Sequence, residues 1–180
     1  MHYAFVVAGV TFLTLVSAAA FRSTTGVMLM PLEDEFGWSR TTTSNAVSLN
    51  LLFYGLTAPF AATLIERFSL RRVVASALAL VAVGEFLTLG MTASWQLMVL
   101  WGAFIGFGTG CLALVFGAAV ANRWFVRNRG LITGLFSAGY ATGSLIFLPL
   151  LSHVIAMSGW RYAAVVVGTF AAVMAPVVAI

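Results

Sequence analysis

Long apolar runs separated by short polar connections make up nearly the whole chain. A helix needs about 20 apolar residues to cross a bilayer. Six stretches meet that length: 4–31, 41–65, 73–91, 95–121, 130–152 and 160–180. The connections are short, so consecutive helices are expected to lie antiparallel as neighbours. No segment reads as a soluble domain, a low-complexity tract or a long linker. The pattern predicts an all-α integral membrane protein, a six-transmembrane-helix bundle forming a single membrane domain over 1–180. The last run reaches Ile180 without a polar tail, which reads as the first part of a longer chain.

Composition agrees with the pattern. The chain is 62% hydrophobic and 8% charged, against about 25% charged in an ordinary soluble domain. Its net charge of +4 comes from arginine alone. These arginines sit between apolar runs and form no patch with interleaved aromatics, so nucleic acid is excluded as a partner. Their distribution orients the bundle. Arg67, Arg71 and Arg72 fill the second connection, and Arg123, Arg127 and Arg129 the fourth. The first and fifth offer Arg40 and Arg161, and the first is acidic, with Glu33, Asp34 and Glu35. The N-terminus and the even connections are therefore expected in the cytoplasm, for a multi-pass protein of the bacterial inner (plasma) membrane. Ala18-Ala19-Ala20 resembles a signal-peptide cleavage site, but apolar residues resume after Arg22 and no basic residue precedes the run. Gly37-Trp38, Ser94-Trp95 and Gly159-Trp160 each place an indole before the next helix, as interfacial anchors and a hint of internal repetition.

Against this background a few polar side chains stand out. Arg22 interrupts the first run and carries its charge wherever it sits. It lies about 19 residues, roughly 28 Å, from the cytoplasmic start. Two readings are open: snorkelling to the outer interface, or facing a polar cavity and binding an anion. Glu85 is the acid well inside a span, where proton carriage and a structural role weigh equally. On the second helix Asn50 and Tyr54 are four apart and share a face, with Asn45 offset. They suit interhelical hydrogen bonds or a substrate path. His153 falls near the outer end of the fifth helix, and Cys111 reads as a small buried hydrophobe. In helix four, LWGAFIGFGTGCL puts Gly102, Gly106 and Gly110 on one face for close backbone approach. No cofactor and no metal site is expected.

The second connection reads Ala62-Thr-Leu-Ile-Glu66-Arg67-Phe-Ser69-Leu70-Arg71-Arg72. It resembles the signature of the major facilitator superfamily between helices two and three: Gly, three residues, Asp, Arg, any, Gly, Arg, then a basic pair. Glu66 stands at the acid, Arg67 at the arginine, Arg71 and Arg72 at the basic positions. Ala62, Ser69 and Leu70 depart from it. The resemblance implies a bundle of two inverted three-helix repeats, half of a 12-helix fold whose C-terminal six-helix half is the missing partner. Glu66, Arg67, Arg71 and Arg72 would latch the two halves on the cytoplasmic side.

Helix five reads GLITGLFSAGYATGSLIFLP. Gly130, Gly139 and Gly143 match glycines of the superfamily's antiporter motif, with Ser144 in place of its proline; close helix packing is the preferred reading. Gly102 occupies the position of an arginine that many drug:proton antiporters carry. Asn122-Arg123-Trp124-Phe125, Gly159-Trp160-Arg161 and the loop PLEDEFGWSR resemble the monocarboxylate and oxalate:formate branch. In eukaryotic monocarboxylate transporters a lysine followed by serine precedes the acidic loop, and Arg22-Ser23 occupies its place. The resemblance implies that Arg22 contacts a small organic anion, with Thr25 and Gly26 lining the path one turn on; Asn50 and Tyr54, from their place on helix two, are further substrate-binding candidates. Glu85 is the candidate for proton coupling, because a guanidinium cannot release its proton.

The expected function is thus secondary active transport of small organic anions, monocarboxylates by resemblance, with protons as a coupling partner and lipid as surroundings. A drug or metabolite efflux antiporter of the same superfamily is the nearest alternative. A six-helix channel or scaffold is the alternative of another class. An intramembrane hydrolase lacks a nucleophile motif and has histidines only at 2 and 153.

Overall fold

A computed structural model describes residues 2–112, 114–125 and 129–179, and Arg127 and Ile180 lie outside them. Helix α1 is His2–Phe36, α2 Arg40–Phe68 and α3 Leu70–Thr88. Helix α4 runs Ser94–Trp124, α5 Arg129–Ser158 and α6 Trp160–Ala179. Among the described residues the structure is helical with no strand. Among the described residues, four helices are long and apolar enough to cross a membrane: α1 from Val7, α4, α5 and α6. Helix α2 becomes a fifth if its arms Arg40–Thr57 and Pro59–Phe68, bent by 53°, count as one span. Proline removes a backbone donor and crowds the preceding turn, which accounts for a bend at Pro59. Helix α3 has 19 residues and carries Arg71, Arg72 and Glu85, too many charges for a plain apolar span.

The helices end where backbone chemistry ends them. Helix α1 passes through Pro31 and stops at Phe36, so the acids expected in a loop sit on its last turns. Helix α5 likewise passes Pro149 and extends to Ser158. Gly37 (φ 64°) and Gly159 (φ 90°) adopt the left-handed conformation that terminates a helix without a Cβ clash. Ser39 then caps α2, accepting from the Thr42 amide at 3.3 Å. One residue, Ser69, separates α2 from α3, and it is held at φ 77°, ψ 145°. That region is nearly reserved for glycine and costs a larger residue roughly 1–3 kcal/mol. The Ser69→Gly variant is expected to gain about 1 kcal/mol of stability, read as a higher midpoint of thermal unfolding in detergent.

Helix α1 packs chiefly on α5, α2 on α4 and α3 on α6. At one end of the bundle a polar and aromatic cluster joins three helices. Arg161 Nη2 lies 2.6 Å from Glu35 Oε1, and Trp160 Nε1 donates to Glu35 Oε2 at 2.5 Å. Phe36 stacks on Trp38 at 4.5 Å, and Thr43 Oγ1 donates to Glu33 Oε1 at 2.5 Å. Outward faces stay apolar, as with Leu131, Leu145 and Met157 on α5. Lipid or another bundle, but not water, suits such a surface.

Candidate functional site

Glycines set the geometry around Arg22. A Cβ at Gly106 would lie 2.8 Å from the Asn50 carbonyl oxygen, and one at Gly110 would lie 2.9 Å from that of Tyr54. A Cβ at Gly102 would meet Leu49 at 2.7 Å. The three glycines thus bring the α4 backbone directly onto α2, and they turn Asn50 and Tyr54 inward. On the other side, a Cβ at Gly143 would sit 3.1 Å from the backbone of Val16, and one at Gly139 would collide with the Phe12 ring. This close approach of α5 to α1 carries Tyr140 to the same place. Gly130 meets no described atom within 4 Å.

The result is a cavity of about 180 Å³ bounded by α1, α2, α4 and α5. Arg22 and Thr25 line it from α1, Asn50 and Tyr54 from α2, Thr109 from α4 and Tyr140 from α5. The Arg22 guanidinium carbon lies 5.2 Å from the centre of the Tyr54 ring, a cation–π distance. Among the described residues no carboxylate lines the cavity, and the charge on its wall is the positive one of Arg22. Asn50 is 8% exposed, and its Nδ2 donates to the Trp101 carbonyl at 2.7 Å. One of its two amide hydrogens is therefore used in fastening α2 to α4, which makes Asn50 a positioning residue. Thr109 Oγ1 donates to the Ile105 carbonyl at 2.7 Å, and Thr25 Oγ1 to that of Phe21 at 3.4 Å. Their hydroxyl oxygens still offer lone pairs. The α4 stretch Met98–Ile105 beside the cavity is wound as a π-helix, a winding frequent at functional sites.

Other candidates stand elsewhere. Gly26 is exposed and does not line the cavity, and neither does the exposed Asn45. Glu85 is 1% exposed, with Oε2 lacking a hydrogen-bond partner. It faces α6, where a Cβ at Gly168 would lie 3.2 Å from its own Cβ. Glu66, Arg67 and Arg72 are exposed, and Arg71 lines a second cavity. His153 is exposed and Cys111 buried. Among the described residues no group of three His, Cys, Asp or Glu side chains gathers to hold a metal ion. Tyr140 and Thr109 escaped the sequence reading. Tyr140 is the one aromatic hydroxyl within the glycine-rich run of helix five, and that was the available signal.

Residues 10–180 match the family described as Major Facilitator Superfamily. The chain belongs to that superfamily. Its members are membrane transporters, so the protein is an integral membrane protein of a non-enzymatic family. Among its relatives is the oxalate:formate antiporter of Oxalobacter formigenes, 32% identical over 131 residues, 72% of this chain and 30% of that one. Monocarboxylate transporter 7 of Homo sapiens is 27% identical over 145 residues, 81% of this chain and 28% of that protein. The riboflavin transporter RibJ of Trypanosoma brucei brucei is 31% identical over 131 residues, 72% of this chain and 23% of its own length. The chain thus spans less than half the length of each of these relatives.

Proposed function

We propose that this chain forms one six-helix half of a secondary active transporter that moves small organic anions, monocarboxylates first, by alternating access. The observation that carries this reading is the Arg22 cavity: one permanent cation, braced on Tyr54, with no acid among the described residues of the wall. Relatives that carry oxalate, formate and monocarboxylates agree with it, while the riboflavin transporter warns that likeness alone does not choose a substrate. Arg22 receives the carboxylate, bidentately where both oxygens reach it. Tyr54 and Tyr140 supply hydroxyls around it, Thr25 lines the wall beside it, and Asn50 holds the wall in place. Gly26 lies one turn along α1, on the approach.

On this reading the bundle has six spans in two inverted three-helix repeats, with the N-terminus in the cytoplasm of a bacterial inner membrane. The packing supports the repeat: exchanging α1 with α4, α2 with α5 and α3 with α6 turns the α1–α5 pairing into α4–α2 and returns α3–α6 to itself. Glu66, Arg67, Arg71 and Arg72 form the cytoplasmic latch to the second half. Gly102 and Ser144, where efflux antiporters have arginine and proline, count against the drug-export alternative. Glu85, whose Oε2 has no partner, is the carboxyl available for a proton.

The test is uptake of labelled formate, oxalate, lactate and pyruvate into proteoliposomes carrying the full-length protein, with and without a proton gradient. Saturable uptake of at least one carboxylate is expected, with no competition from neutral analogues. In Glu85→Gln, uptake is expected to persist while its response to the gradient disappears. A gradient response unchanged in that variant removes Glu85 from coupling, and absence of any carboxylate uptake overturns the whole reading.

A further inference from the structure

Helix α1 has no apolar pattern that fixes which way Arg22 points. From Ala4 to Phe21 its residues are apolar or small on every side, so turning the helix about its axis exchanges one apolar face for another. Where α1 meets α5, Gly139 and Gly143 set the distance of approach, and the α1 residues there are Phe12, Val16 and Ala19. The directional contacts of α1 with its neighbours lie at Arg22 and at the outer end. Arg22 rests over the Tyr54 ring at 5.2 Å. Eleven residues on, Glu33 Oε1 accepts from Thr43 Oγ1 at 2.5 Å, and Thr43 lies eleven residues before Tyr54 on the antiparallel α2. Eleven residues are close to three whole turns, so Glu33 returns to within about 20° of the Arg22 face. The two contacts are rungs of one α1–α2 seam, about 16 Å apart, with Thr25 and Leu51 between them on the cavity wall. Thr43 is fully buried and shares its hydroxyl hydrogen with the Arg40 carbonyl at 3.0 Å, the longer of its two contacts. Glu35 points about 200° around the helix from Glu33. It is held from α6, with Arg161 Nη2 2.6 Å from Oε1 and Trp160 Nε1 2.5 Å from Oε2.

We propose that Glu33 is a positioning residue for Arg22: with Glu35 it pins the outer end of α1 from two sides and holds the rotation that aims the guanidinium into the cavity. A single pin leaves a pivot about which a helix can turn. Two pins on different sides, each to a different helix, do not. Hydrogen bonds serve this purpose because they weaken steeply with misalignment, whereas apolar contact has no direction. A turn of α1 by one residue, about 100°, would break the Glu33–Thr43 bond and lift Arg22 off the Tyr54 ring together. Asp34, between the two pinned acids, is exposed and provides an internal control of equal charge. The consequence for transport rests on Arg22 receiving the carboxylate, whereas the pinning itself does not.

The experiment reads helix rotation and transport separately in proteoliposomes of the full-length protein. In a Cys111→Ser background, single substitutions Thr25→Cys, on the cavity wall, and Thr24→Cys, 1% exposed and away from it, are labelled with a water-soluble methanethiosulfonate. Thr25→Cys is expected to label faster, and the contrast to shrink severalfold when Glu33→Ala or Thr43→Val is added. Glu33→Gln, whose amide oxygen still accepts from Thr43, is expected to keep the contrast, as is Asp34→Asn. The KM for carboxylate uptake is expected to follow. It should rise about tenfold in Glu33→Ala and in Thr43→Val, the scale of one hydrogen bond to a charged group. The double variant should add nothing further, and Glu33→Gln and Asp34→Asn should stay near the native value. An unchanged labelling contrast in both Glu33→Ala and Thr43→Val overturns the pin, whatever happens to transport. So does an equal effect of Asp34→Asn, which would mean that any outer acid serves. A changed contrast with an unmoved KM overturns the aiming of Arg22. Absence of carboxylate uptake in the native protein would instead defeat the anion reading, and labelling alone then decides the pin.

Discussion

Replacing Arg22 by alanine is expected to lower carboxylate affinity about 30-fold, with Arg22→Lys between the variant and the native protein. A hydrogen bond to a charged group contributes ~2 kcal/mol, which is that factor. The lysine keeps the charge but loses the planar fork that meets both carboxylate oxygens, and with it the flat contact on the Tyr54 ring. Initial rates of labelled-carboxylate uptake over a range of concentrations check this, with the rise expected in KM. Undiminished uptake in the alanine variant removes Arg22 from the site and returns it to the snorkelling alternative.

Much of this arrangement was legible in the sequence, and the illegible parts share a cause. Helix existence followed from apolar run length, and the charge of Arg22 could be read directly, since its surroundings do not alter it. The faces of the helices were harder. An amphipathic helix announces its buried side, but α1 and α5 are apolar all round, so their periodicity says little about orientation. Tyr140 reaches the Arg22 cavity only because Gly139 and Gly143 let α5 close onto α1, a contact between segments more than a hundred residues apart. The same applies to Asn50, whose partner is the Trp101 carbonyl 51 residues away. Glu85 looked equally suited to chemistry and to structure, and what separates it from the cavity is the α3–α6 packing. Pro31 reads as a span end, yet α1 runs on through it to Phe36, as membrane helices do when neighbouring groups compensate for the lost donor. Ser69 departs from the signature glycine, while its backbone keeps the positive φ that a glycine would have adopted at no cost.

The glycine faces make the second large prediction. Gly106→Ala is expected to destabilise the protein by about 1–2 kcal/mol, whereas Gly130→Ala is expected to stabilise it by up to ~1 kcal/mol. Alanine improves helix propensity at both positions by about the same amount, up to ~1 kcal/mol. The difference is steric. At position 106 the new methyl would lie 2.8 Å from the Asn50 carbonyl oxygen and 3.1 Å from the Asn50 Cα, and backbone cannot turn aside as a side chain can. Overpacking of that kind costs ~1–3 kcal/mol, more than the propensity gain. At position 130 the methyl meets no described atom within 4 Å. Thermal unfolding in detergent, followed by circular dichroism, separates the two variants. Function should move with the first: pushing α2 off α4 lengthens the 2.7 Å bond from Asn50 to Trp101 and shifts Tyr54 away from the Arg22 guanidinium. Carboxylate affinity in Gly106→Ala is therefore expected to fall severalfold in the protein that remains folded. Equal stability of the two alanine variants would mean that the glycine face of α4 is not what holds the cavity in shape.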